Sequence, residues 1–207
     1  MQKVFITSLH RVGTQSTDQL LRQSGYTTIH WPARWDGQDF QAPVVGHETD
    51  FAYVTDRLKP VIDAHDAISD VPICALYEAL ADKYPEAAFV ALRRPVEDWI
   101  RSVRRHIKAR ALDPFEHTMY WRYVASRPRY IADVSDAELT VMHRDHYTGM
   151  AAFFEGSGRY LCEDLTDPEC GQKLCAFLGL PLQPLPNTDY LRGFEPMHQN
   201  TAPQEGA

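Results

Sequence analysis

Long apolar runs are missing from this chain. None approaches the roughly eighteen residues that a membrane-crossing helix needs, and the start, MQKVFITSL, has neither a long apolar segment nor a small-residue cleavage signal. Secretion and a membrane span are therefore not expected, and a cytoplasmic protein is. Cysteine is scarce: Cys74, Cys162, Cys170 and Cys175 sit in apolar periodic segments, with no CxxC pair and no Cys/His spacing suited to a metal. Reduced thiols in or beside the core are expected, not a disulfide framework or a zinc site. Positive charge is in deficit, with 21 Lys and Arg against 28 Asp and Glu and a formal net charge of −7. Such a chain repels polyanions as a whole, which argues against nucleic acid or an anionic membrane as a general partner and makes any anion site a local feature. Internal repeats and low-complexity blocks are also absent.

What is present suits one domain of α/β size. The 207 residues, 44% hydrophobic and 24% charged, are enough for a sizeable core. The most informative stretch is the beginning. Lys3-Val4-Phe5-Ile6 has strand character and runs into a polar turn carrying His10, Arg11, Gly13 and the hydroxyls of Thr14, Ser16 and Thr17, after which Leu20 and Leu21 open an apolar face at helical spacing. A strand, a tight loop and a helix N-terminus follow from that pattern. First-turn N–H groups, the positive end of the helix dipole and Arg11 would then point into one small volume, which suits a phosphate or sulfate. An ordinary βα turn whose Ser and Thr cap the helix fits the same residues.

Farther along, the first helix should stop near Ser24-Gly25, and residues 26–31 read as a strand halted by Pro32. Residues 33–55 carry scattered aromatics and no assignable regular structure. Residues 54–64 read as a helix interrupted by Pro60, residues 66–72 as a short strand ending in a turn, and residues 73–84 as a helix closed by Pro85. Phe89-Val90-Ala91-Leu92 is a continuous apolar run of the kind buried in a parallel sheet. It ends on Arg93-Arg94-Pro95, and a helix over 96–107 follows, with Trp99, Val103 and Ile107 on one face. Further helices are expected between 113 and 155, where Leu139, Met142, His146, Met150 and Phe153 form a core stripe. A late strand at 159–162, an acidic turn and a closing helix over 171–178 complete the pattern, and the tail from Pro181 should wrap the surface and then lose order.

Strands alternating with helices imply an α/β fold with a parallel sheet, helices on both faces, and ligands beyond the carboxyl ends of the strands. That topology groups three loops, 8–16, 69–72 and 93–102. The first lacks the GxxxxGK[ST] arrangement that cradles a nucleoside triphosphate, which disfavours a metal-dependent kinase. An arginine ahead of Gly-Thr, with hydroxyls after it, suits a terminal anion held by amides and a guanidinium fork.

Leu9-His10-Arg11-Val12-Gly13-Thr14-Gln15-Ser16 resembles the 5′-phosphosulfate loop of sulfotransferases that use 3′-phosphoadenosine 5′-phosphosulfate (PAPS), a loop commonly written P-[KR]-x-G-T-[TS]-x. Residues 90–102 are similar to that family's strand-loop-helix, whose Arg and Ser hold the 3′-phosphate. Residues 160–165 with Phe177-Leu178-Gly179-Leu180-Pro181 are similar to its late strand and final helix, and residues 66–72 to the segment before its nucleotide-binding strand. The likeness spans residues 3 to about 187. It implies a P-loop NTPase-like three-layer fold with a central, mainly parallel sheet, formed by one domain over 1–190 with a surface or disordered tail over 191–207. It also implies PAPS as sulfuryl donor and adenosine 3′,5′-bisphosphate (PAP) as product, no metal, and a small-molecule or saccharide acceptor.

On the same resemblance, residues 10–16 bind the phosphosulfate, Arg11 is catalytic, and Ser102 with Arg93 or Arg94 holds the 3′-phosphate. Arg94 keeps the family's spacing of eight to Ser102, whereas Arg93 keeps the position relative to Pro95. His10 and Arg11 stand where the family usually has Pro and Lys, and Gln15 where a hydroxyl is usual. Asp70 falls where cytosolic members place a catalytic His, so it is the candidate general base, with helix capping as its structural alternative. His47, Glu48, His65 and Asp66 are reserves. A binding protein that keeps the nucleotide pocket without turnover is the competing reading.

Overall fold

The computed structural model describes residues 1–187, so the tail beyond lies outside the described residues. Five strands, β1 (Val4–Ile6), β2 (Thr28–His30), β5 (Ala67–Ser69), β6 (Ala88–Arg93) and β7 (Tyr160–Asp164), form an all-parallel sheet in the order β2-β5-β1-β6-β7. In β1, Val4, Phe5 and Ile6 stand opposite Ala67, Ile68 and Ser69 on one side and Ala88, Phe89 and Val90 on the other. All three β1 side chains are fully buried, as expected of a strand covered on both faces. A two-stranded antiparallel ribbon, β3 (Arg34–Trp35) with β4 (Gln38–Asp39), stands apart from this sheet.

The strand order fixes where the helices lie. From β1 to β2 the chain moves one way across the sheet, whereas β2 to β5, β5 to β6 and β6 to β7 all move the other way. Right-handed crossovers therefore put α1 (Thr14–Gln23) on one face, and α2 (Phe51–Asp63), α3 (Tyr77–Lys83), α4 (Val96–Ile107), α5 (Pro114–Tyr123) and α6 (Asp136–Phe153) on the other. The chain after α7 (Cys170–Phe177) returns to the α1 side, where Gln183 Nε2 donates to Ser24 Oγ at 2.7 Å. The result is a three-layer α/β fold.

Several expectations need correction. Helix α2 runs through Pro60 without a break. Pro60 is exposed, and the burial of Val54, Leu58, Val61 and Ile62, at about 1.5–3 kcal/mol per large apolar side chain, outweighs its missing N–H. Residues 33–55 contain the small ribbon, a 3₁₀ turn at Ala42–Val44 and the start of α2. The helix expected over 73–84 is split into a 3₁₀ turn, Ile73–Ala75, and α3. In α6, Leu139, Met142, His146 and Met150 are fully buried, but Phe153 is 46% exposed because it lies at the helix end, beyond the packed stripe. Among the described residues no helix is long and apolar enough to cross a membrane. The four cysteines are free thiols.

Candidate active site

Adjacent strands β5, β1 and β6 end side by side, and the loops that follow them meet at the carboxyl edge of the sheet. In the loop after β1, Arg11 and Gly13 both take left-handed backbone conformations, φ 64° and 67°. Gly13 is the N-cap of α1 and, lacking a side chain, places no acceptor on the first-turn N–H groups. No acidic residue occupies that turn either. Side-chain capping is therefore not what starts this helix, and its dipole and amides face the loop. A Cβ at position 13 would lie 2.8 Å from Leu165 Cδ1 and 3.0 Å from Leu92 Cδ1, so a side chain there would have to displace both leucine ends and hold a left-handed backbone, which favours glycine.

The loop is braced from three directions. Ser8 Oγ accepts the Leu92 N–H at 2.8 Å, and the Trp99 indole N–H donates to the His10 carbonyl at 3.0 Å. His10 Nε2 and the Tyr120 hydroxyl share a hydrogen bond of 2.9 Å. Burial pulls the His10 imidazole down to about 4, against the fields of Glu116 and Asp70, so the ring is neutral near pH 7. With that ring committed to Tyr120 and Val12 fully buried, both residues offer a ligand only their backbone.

Arg11 is half-buried at the mouth of this loop. Its Nε donates to Ser102 Oγ at 3.5 Å, and Arg94 Nη1 donates to the Arg11 carbonyl at 3.4 Å. Burial lowers the pKa of Arg11; the Asp70 carboxylate opposes that shift, and the charges of Arg94 and Arg105 add to it. Among the described residues, Arg11, Arg94 and Arg105 enter no ion pair. A cluster of cations without direct ion pairs, with Asp70 as a nearby counter-charge, thus stands at a helix N-terminus in a chain of net charge −7. Arg93 is exposed and turned elsewhere: it pairs in register with Asp164 of β7, and its carbonyl accepts the Leu165 N–H at 2.7 Å. Consecutive residues at a strand end point to opposite sides, and the one brought to Arg11 is Arg94.

Asp70 follows β5 in a left-handed conformation, φ 76°, directly before the cis peptide Val71–Pro72. Its Oδ1 accepts the Val71 N–H at 2.9 Å, and Oδ2 lies 3.2 Å from His30 Nε2. The 3₁₀ turn that follows has Pro72 at its N-cap and no side-chain cap, so the capping alternative does not hold. His30, the last residue of β2, also hydrogen-bonds Ser69 Oγ through Nδ1 at 2.7 Å. A non-glycine residue with positive φ follows each of β1, β2 and β5, namely Arg11, Trp31 and Asp70. Such conformations cost on the order of 1–3 kcal/mol each and persist where the surroundings impose them.

Of the reserve candidates, two lie at the opposite end of the sheet. His65 and Asp66 precede β5 and so lie at the amino end of the sheet, where a shallow groove of about 300 Å³ lined by Arg22, Thr27, Thr28, Ala64 and His65 also opens. His47 stacks on Tyr53 with ring centroids 4.1 Å apart, and Glu48 is buried beside it in sequence.

A family model described as a sulfotransferase domain matches residues 3–192. The chain belongs to the sulfotransferase-domain family. Among solved structures, the sulfotransferase from Alicyclobacillus acidocaldarius is similar, with a TM-score of 0.54 and 19% identity over 95% of this chain and 87% of that one. At this identity the likeness shows the shared P-loop-like α/β fold. A comparison with curated proteins returned no match. As a sulfotransferase, the chain is a transferase acting on an acceptor.

Four residues that this sulfotransferase brings to the site were not anticipated as such: His30, Trp99, Tyr120 and Arg105. His30 carried a signal, its place at a strand's carboxyl end before Pro32. A buried indole usually finds a partner for its N–H, so Trp99 also carried one. Tyr120 and Arg105 offered no local pattern.

Proposed function

We propose that this sulfotransferase takes a sulfuryl group from PAPS and passes it in line to a hydroxyl or amine of a small-molecule or saccharide acceptor, in the cytoplasm. The observation that carries the reading is the convergence of Arg11, Arg94 and Ser102 at the start of α1, with the Asp70 carboxylate close enough to shift Arg11. Backbone groups of residues 10–16 and the hydroxyls of Thr14 and Ser16 hold the phosphosulfate, with Gln15 at the rim. Arg94 and Ser102, not Arg93, take the 3′-phosphate. The donor supplies the sulfuryl group and a bisphosphate leaving group. Arg11 offsets charge as it builds on the departing oxygen, a role for which loss of one fixed donor costs about 100- to 1000-fold in rate. Asp70 accepts the acceptor's proton. Positioning and charge supply the rest, as in phosphoryl transfer.

The test is a calorimetric titration with PAP. Binding at micromolar concentration is expected, weakened by Arg11→Ala and by Arg94→Ala but not by Arg93→Ala. A protein that binds ATP with Mg²⁺ and ignores PAP refutes the reading.

A further inference from the structure

The geometry points to His30 as a positioning residue for Asp70: its imidazole holds the carboxylate that receives the acceptor's proton. This rests on the sulfuryl-transfer reading above. β2 and β5 are neighbours in the sheet, and their register sets His30 directly opposite Ser69, the residue before Asp70. From that place the ring reaches both: Nε2 is 3.2 Å from Asp70 Oδ2, and Nδ1 is 2.7 Å from Ser69 Oγ. A carboxylate oxygen accepts hydrogen bonds, so the pairing casts Nε2 as the donor, and a neutral ring then receives the Ser69 hydroxyl on the Nδ1 lone pair.

Both ring nitrogens are then occupied, which removes His30 as a direct base. Asp70 keeps lone pairs beyond those given to Val71 and His30. The His30 and Asp70 side chains are 21% and 18% exposed, within reach of a bound molecule, whereas Ser69 is fully buried and anchors the far side of the ring. Because Asp70 stands outside regular strand or helix geometry, at φ 76°, the imidazole and the Val71 amide are what aim its two oxygens. In the transfer itself the acceptor's O–H or N–H proton passes to Asp70. The acceptor oxygen or nitrogen forms the new bond to sulfur with its lone pair, and the bond from sulfur to the bridging phosphate oxygen breaks, its electron pair leaving with PAP.

The experiment compares wild type, His30→Ala and His30→Gln in PAP titration and in PAP release from PAPS with water as surrogate acceptor. Long-range ¹H–¹⁵N spectra of the wild-type histidines are recorded alongside. PAP affinity should stay within about twofold in both variants, since neither touches the phosphosulfate loop. His30→Ala should lower kcat about 10- to 100-fold with KM for PAPS unchanged, the effect expected of a misplaced reacting group. His30→Gln, whose amide N–H can stand in for Nε2–H, should recover most of that loss. The neutral His30 should be the Nε2–H tautomer. Unchanged kcat in His30→Ala, a Gln variant no better than Ala, or an Nδ1–H tautomer overturns the assignment. A wild type that neither binds nor releases PAP refutes the sulfuryl-transfer reading instead, while the spectra still decide the His30–Asp70 pairing.

Discussion

Replacing Gly13 by alanine tests the loop at its tightest point. Two costs are separable. The left-handed conformation at φ 67° penalises a side chain by about 1–2 kcal/mol, and the new Cβ, 2.8 Å from Leu165 Cδ1 and 3.0 Å from Leu92 Cδ1, adds about 1–3 kcal/mol of overpacking. A loss of about 3.5 kcal/mol, at about 3 °C per kcal/mol for a chain of this length, lowers Tm by about 10 °C. Leu165→Ala in the same molecule removes the nearer collision but not the backbone penalty. The double variant should therefore lose less than the sum of the two single changes, by an interaction of about 1 kcal/mol. Calorimetric melts of the four proteins measure this, and PAP titration reports whether the loop keeps its shape. A Gly13→Ala protein with wild-type Tm and affinity would refute the claim that this position favours glycine. Strict additivity with Leu165→Ala would refute the steric half of it.

Asp70→Asn should retain PAP binding and lose about 100-fold or more in turnover, as expected for removal of a general base; equal turnover excludes Asp70 from that role. Trp99→Phe removes the N–H that holds the His10 carbonyl and should cost about 1–3 kcal/mol in urea melts with little change in m, because a buried acceptor loses its donor. The stability should also fall on acidification. His10 and His146 are fully buried, with pKa values lowered by burial from 6.5 to about 4 and about 3, so the unfolded chain binds more protons than the folded one below pH 6.5. The stability they confer is present above pH 6.5 and lost toward pH 4, about 3 kcal/mol for His10 alone. Asp113, raised to about 6 by burial, acts with the opposite sign over the same range and offsets part of the loss. Melts at pH 7 and 4.5 check the sum, and His10→Asn should flatten the dependence.

Where local chemistry and tertiary packing agree, the residues announced the structure. Helix α4 spans Val96–Ile107 as its Pro95 start and its Trp99, Val103 and Ile107 face predicted, and the loop between β1 and α1 stands where Gly13 and the hydroxyls put it. Packing decided the rest. The strands of the β3–β4 ribbon are two residues long, too short for any periodicity to show. Pro60 reads as a breaker until its exposed position on an otherwise buried helix is known. That Arg94 and not Arg93 is placed against Arg11 follows from the register of β6 against β7, a long-range fact absent from the local motif. His30 and Asp70 lie forty positions apart, and only the pairing of β2 with β5 brings them together.

The brace on His10 has a consequence for how the loop moves. A proline at that position would stiffen the backbone through its own ring, independently of its neighbours. Here the rigidity comes from Tyr120 on α5 and Trp99 on α4. The loop between β1 and α1 should therefore open and close together with these two helices. An anion held at α1 should slow amide exchange in α5, and loosening α5 at its buried Phe115 or Met119 should slacken the loop before the sheet itself gives way.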